Sequence, residues 1–148
     1  MLTFVDTNVL VYARDLRDPL KRNRAIEWLE RLWSRRDGRT SCQIVSEFYD
    51  VATRKLHVPA DQAWQEAARY FAWSPPAIDG RLLREAREIQ RRYQISWWDS
   101  MIVAAAQLQD CVILLTEDLQ DGMVFGKLAV RSPFSSVVEE SRASYALA

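Results

Sequence analysis

The hydrophobic positions of this chain follow two kinds of pattern. Unbroken apolar runs occur at residues 2–5 and 112–115. Each is too short for a helix and fits a strand buried on both faces. Elsewhere apolar residues recur every three or four positions, the period of an amphipathic helix. Residues 9–14 read as a short helix. Asp18-Pro19 supplies an N-cap and a first-turn proline for a helix to about Arg35, with Ala25, Ile26, Leu29, Leu32 and Trp33 on one stripe. Asp37-Gly38 ends it, and residues 39–41 fit a second short strand. Residues 43–55 are predicted helical, with Ile44, Phe48, Val51 and Lys55 along one face. Pro59 opens a helix through Ala72 with Trp64, Ala67, Ala68 and Phe71 facing inward, broken by Trp73-Ser74-Pro75-Pro76.

Asp79 caps a helix to about Tyr93 carrying Leu82, Leu83, Ala86 and Ile89. Ser96 starts an alanine-rich one through Leu108. Gly122 marks a turn, residues 128–130 fit a last strand, and residues 137–147 a terminal helix. Strands alternating with helices predict an α/β domain spanning residues 1–148, with a small, mostly parallel central sheet covered by helices on both faces.

Composition narrows the class. The chain has 148 residues, 49% hydrophobic and 27% charged, enough for a sizeable core. No apolar run reaches the roughly 18 residues of a membrane span, and the N-terminus lacks the basic start of a signal peptide. Two cysteines, Cys42 and Cys111, without a Cys-x-x-Cys pair or a histidine cluster, argue against structural zinc and read as free thiols in a reducing cytoplasm. Net charge is zero but unevenly spread. Residues 14–39 hold nine Arg/Lys against five Asp/Glu, and residues 110–148 three against six. A basic flank near an acidic pocket suits a phosphodiester substrate; a solvated helix face laced with ion pairs explains it equally well.

The acids carry the chemistry. In open α/β sheets, sites lie at the carboxyl ends of strands. Asp6 follows the first apolar run and Asp118 follows the second. Asp99 sits at a helix start, and Glu47 lies about 60° from Ile44 on a helical wheel, at the border of the buried face. Each has a plainer explanation. Asp6 fits a helix cap, Asp99 a capping box with Ser96, Asp118 with Asp121 and Gly122 a turn, and Glu47 an exposed helix position. Those explanations do not account for all four acids standing beside apolar residues where strand ends and helix starts converge. Convergent carboxylates repel, and some hold protons unless a cation neutralises them. Oxygen ligands suit Mg²⁺, with Mn²⁺ as a substitute, and a metal-held water can serve as nucleophile. The sole histidine, His57, precedes Val58-Pro59 in a loop and is not expected to be catalytic.

At these residues the sequence resembles the PIN-domain family, in particular its VapC-like toxin branch. Phe4-Val5-Asp6-Thr7-Asn8-Val9-Leu10 is similar to the family's first-strand motif. The stretch from Gln43 through Glu47 to Lys55 is similar to its acidic helix segment. Ser96-Trp97-Trp98-Asp99-Ser100-Met101 is similar to the third-acid motif, and Leu115-Thr116-Glu117-Asp118-Leu119-Gln120 to the fourth. The resemblance implies a magnesium-dependent endoribonuclease, silenced by a cognate antitoxin and forming a homodimer. It implies Asp6, Asp99 and Asp118 as metal ligands and Glu47 as a ligand or the group that orients the attacking water. It also implies Asn8 and Thr116 as polar supports. Asp121 departs from the family pattern and stays outside this set. Trp97 and Trp98 read as packing at a helix start, or as a surface on which RNA bases or an antitoxin stack. Two other classes compete. One is a non-catalytic RNA- or protein-binding module on the same fold, against which the intact quartet argues. The other is an aspartyl-phosphate phosphatase, disfavoured because Asn8 stands where a second Asp is needed.

Overall fold

The computed structural model describes residues 1–135; the terminal helix predicted at residues 137–147 lies outside them. Five strands form one sheet: β1 (Thr3–Val5), β2 (Gly38–Arg39), β3 (Ile113–Leu115), β4 (Val124–Phe125) and β5 (Leu128–Arg131), in the order β2-β1-β3-β5-β4. β1 runs parallel to β2 and β3, and β3 parallel to β5; only β4 is antiparallel, to β5. Thr3, Phe4 and Val5 are all buried. Successive strand residues point to opposite faces, so both faces of β1 are covered. This is the predicted α/β architecture.

Helices supply the crossovers from β1 to β2 and from β2 to β3, whereas β3 reaches β5 through a loop and β4. The helices are α1 (Thr7–Arg14), α2 (Pro19–Arg35), α3 (Cys42–Arg54), α4 (Ala60–Ala68), α5 (Gly80–Tyr93) and α6 (Trp97–Leu108). Most start on a side-chain cap. Asp18 accepts from the Lys21 amide, Ser41 from Ile44, Asp79 from Leu82 and Ser96 from Asp99. α6 is buried continuously from Ser100 to Ala106, which explains its alanine-rich sequence. None of the helices among the described residues is long and apolar enough to cross a membrane.

The structure differs from the sequence reading in four places. β2 is Gly38–Arg39 rather than residues 39–41, because Ser41 is taken as the cap of α3. The helix predicted from Pro59 to Ala72 ends at Ala68 and tightens into a 3₁₀ turn, Arg69–Trp73. Its inward face is Ala63 and Ala67, while Trp64 and Phe71 are exposed and meet edge to face on the outside, with Tyr49 against Trp64. Along α3 Ile44 and Phe48 are buried and Lys55 is exposed, and along α5 Leu82, Ala86 and Ile89 are buried and Leu83 is exposed. β4 was not predicted; Gly126, at φ 61°, turns the chain back from it into β5.

Gly38 is the tightest point of the sheet edge. A Cβ there would lie 2.3 Å from the Trp73 indole. Trp73 in turn stacks obliquely on Trp33, with ring centroids 4.7 Å apart, and meets Tyr70 edge to face. The 3₁₀ turn after α4 is thereby fastened to α2 and β2 through one aromatic cluster.

Candidate active site

Asp6 is the first residue past β1 and the N-cap of α1. It is 3% exposed. Its Oδ1 accepts from the Thr7 amide at 2.7 Å, and its Oδ2 accepts from the Thr116 hydroxyl at 2.7 Å and more distantly from Asn8 Nδ2 at 3.4 Å. All these donors are neutral. Burial, with smaller contributions from the nearby charges of Asp118 and Glu47, raises the Asp6 carboxyl to about 6, against an ordinary 3.8; the hydrogen bonds from Thr116 and Thr7 oppose that rise.

Thr116 follows β3, which pairs in register with β1 so that Val5 lies opposite Leu115. The pairing sets the two strand ends side by side, and Asp6 N continues the ladder by donating to Leu115 O. The Thr116 hydroxyl gives its proton to Asp6 and accepts from both Asn8 Nδ2 and the Asp118 amide, each at 3.0 Å. One donor and two lone pairs are all a hydroxyl has, so it is saturated. Asn8 Oδ1 accepts from the Glu117 amide at 3.4 Å. Asn8 and Thr116 thus bind the two strand ends together, with Asp6 held between them and Asp118 exposed just beyond.

Glu47, half-buried on α3, is held at both oxygens. Oε2 accepts from the Thr7 hydroxyl at 2.7 Å, and Oε1 from Gln43 Nε2 at 3.0 Å. Thr7 therefore joins the element that carries Asp6 to the one that carries Glu47. Neither Thr7 nor Gln43 was singled out from the sequence. The signal for Gln43 was its i,i+4 spacing from Glu47, while Thr7 offers only a hydroxyl next to Asp6.

Asp99 lies in the first turn of α6, where its amide donates to the Ser96 hydroxyl, as the capping reading required. Its carboxyl is also raised, chiefly by burial and then by the charge of Asp118, against a lowering hydrogen bond with Ser96. The electrostatic links thus run from Glu47 to Asp6, from Asp6 to Asp118, and from Asp118 to Asp99. Asp6 and Asp118 lie past the carboxyl ends of the interior strands β1 and β3, and Glu47 and Asp99 on helices, but the acids stand apart: among the described residues, no three His, Cys, Asp or Glu side chains gather closely enough to hold a metal ion.

The neighbouring residues sort themselves. Asp121 Oδ1 accepts from the Ser132 amide at 2.9 Å, so it closes the loop between β3 and β5. His57 is exposed in the loop between α3 and α4, with φ 54°. Trp97 packs partly against the core, whereas Trp98 is 61% exposed. Much of the basic flank is paired: Arg14 with Glu66, Arg17 with Asp15 and Arg24 with Glu27. Lys21 reaches the site itself. Its ammonium lies 2.8 Å from Glu117, over the rings of Tyr12 and Phe134. Glu117 separates Thr116 from Asp118.

A mostly parallel sheet with acids at the carboxyl ends of β1 and β3 defines an α/β domain of the acidic-site kind. The PIN domain family model matches residues 3–121, and the chain belongs to that family. No curated protein matches it in sequence. Three solved structures are similar in fold. A toxin–antitoxin complex from Klebsiella pneumoniae is 22% identical with a TM-score of 0.62, the match covering 89% of this chain and 98% of that one. VapBC2 from Rickettsia felis, bound to a DNA fragment from its promoter, is 17% identical with a TM-score of 0.58, over 89% and 98%. VapC20 from Mycobacterium tuberculosis, a toxin that cleaves the sarcin–ricin loop, is 18% identical with a TM-score of 0.56, over 76% and 86%. At these identities the likeness speaks for the fold.

Proposed function

We propose that this protein is a Mg²⁺-dependent endoribonuclease, the toxin of a toxin–antitoxin pair, acting in the cytoplasm as a homodimer. The observation that carries the reading is Asp6. It is a carboxylate buried at a strand end, served only by neutral donors, and raised toward 6 partly by two other acids. Such a group gains most from a cation that neutralises it. The donor set is all oxygen, which fits Mg²⁺ or Mn²⁺. Asp6, Asp99 and Asp118 would hold the ion, with Glu47 as a further ligand or the group that orients the attacking water. When bound, the ion supplies an acidified water and a counter-charge for the phosphoryl oxygens.

The chain's own residues do the rest. Thr7 and Gln43 fix both oxygens of Glu47, leaving it oriented to hold the attacking water and accept its proton. Thr116 and Asn8 keep Asp6 in place. Attack on phosphorus forms a bond to the water oxygen and breaks the bond to one bridging ribose oxygen, which leaves as a hydroxyl by taking a proton from solvent. The toxin assignment draws its support from the similar folds of the toxins named above.

The test is cleavage of a random RNA pool. Cutting in Mg²⁺ that is lost in chelator and lost in Asp6→Asn supports the reading; equal cutting in chelator overturns it. The spacing of the acids is the one observation that favours a non-catalytic RNA- or protein-binding module instead. RNA retained but uncut in Mg²⁺ would select that alternative.

A further inference from the structure

A cleft of about 420 Å³ opens directly beside Glu47. Gln43, Ser46 and Glu47 of α3 supply its polar wall, and Ile78 and Trp98 are among its apolar lining residues. Its volume is in the range of small-molecule pockets. Trp98 is 61% exposed and Ile78 50% exposed, so the cleft presents two large apolar side chains to solvent beside Ser46 and Glu47. Trp98 is also the residue before Asp99, so the cleft touches the elements of two of the four acids.

Resting on the ribonuclease reading above, we propose that this cleft is a nucleobase subsite for the RNA strand. It would hold one base next to the scissile phosphate, stacked on the Trp98 indole. Continuity with the acids fixes the occupant: a group seated there is one residue away from Asp99 and in contact with the helix turn that bears Glu47. An exposed indole offers a π-face that any base can use. Ser46 is exposed on the polar wall, and its hydroxyl both donates and accepts, so it can address a base edge. Gln43 has one amide hydrogen committed to Glu47, which couples the base pocket to the orientation of that acid. Stacking supplies affinity, and the Ser46 edge supplies base preference.

The experiment uses the Asp6→Asn protein, so that RNA survives, and short single-stranded oligonucleotides carrying one 2-aminopurine at successive positions. Stacking on Trp98 quenches the 2-aminopurine at one position only. Trp98→Ala abolishes that quench and weakens binding roughly 5- to 150-fold, while Trp98→Phe keeps most of both. Trp98 is exposed, so folding survives its loss, and Ile78→Ala serves as a milder second variant that weakens binding in the same direction. Ser46→Ala shifts the preferred base at the quenched position. If the oligonucleotides bind and Trp98→Ala changes neither quench nor affinity, the subsite is overturned while the ribonuclease reading stands. If Asp6→Asn binds no RNA at all, the subsite is overturned, and the cleavage test in chelator decides the ribonuclease reading separately.

Discussion

The Thr116 hydroxyl donates to Asp6 Oδ2 across 2.7 Å, joining residues that lie 110 positions apart in the chain. Because that hydroxyl also accepts from Asn8 and the Asp118 amide, its removal frees three groups at once. Thr116→Val, nearly the same shape, is expected to lower activity about 10- to 100-fold, the usual cost of losing a support behind a metal-binding acid. Thr116→Ser restores most of it. RNA cleavage rates of the two variants in Mg²⁺ give the comparison, and equal loss in both would show that shape rather than the hydroxyl matters.

Asp6 makes stability depend on pH in an unusual direction. Its carboxyl is raised from 3.8 to about 6, so between those values the folded chain binds a proton more readily than the unfolded chain. Stability is therefore highest below about pH 4 as far as this group is concerned, and falls as pH rises through about 6. The cost above that is on the order of 3 kcal/mol. Thermal melts in chelator should show Asp6→Asn more stable than wild type at pH 8, with the gap closing toward pH 4. A gap that stays constant with pH would contradict the assignment. Mg²⁺ at pH 8 should raise the wild-type Tm and leave that of Asp6→Asn unchanged.

The strand ends were the most legible part of this site. Asp6 and Asp118 could be placed by position alone, because a short apolar run followed by an acid says where the acid must emerge. Asp99 was legible through its capping box with Ser96. Glu47 was legible only as a border residue, since a helical wheel gives direction but not partners; what holds it, Thr7, belongs to another element. The misreading of α4 has a size argument behind it. Its apolar residues form two stripes one position apart, Ala63 with Ala67 and Trp64 with Phe71. Helical spacing groups Trp64, Ala67, Ala68 and Phe71 on one face, but α4 packs on α3, and small residues let two helix backbones approach closely. The aromatics fit only on the outside. β4, two residues long, has no periodicity to read.

Gly38 tests the aromatic cluster at the sheet edge. Gly38→Ala drives a methyl into the Trp73 ring and should cost about 1–3 kcal/mol, seen as a drop in Tm of several degrees. Trp73→Leu in the Gly38→Ala background should recover part of it. Purely additive losses in the double variant would mean that the two residues do not conflict.

Cys111 is buried behind β3, and that burial pushes its thiol up to about 12. The thiolate is the reactive form, so Cys111 should resist iodoacetamide at pH 8 in the folded protein and react fully in urea. Peptide mass mapping of the alkylated cysteines distinguishes the two states. Rapid native labelling at Cys111 would show that this part of the core opens locally.

The register of β1 against β3 also sets when the acidic site can assemble. Asp6 is translated about a hundred residues ahead of its hydroxyl donor, and its neighbouring acid Asp118 and the strand it pairs with also lie beyond residue 112. A long loop must close before any of those contacts form. Until then the nascent chain carries Asp6 without the Thr116 hydroxyl and without Asp118. Catalytic competence would arrive late, in a single step, when the β3 strand emerges and docks. A protein that cuts RNA would by this arrangement spare the message and the ribosome still making it.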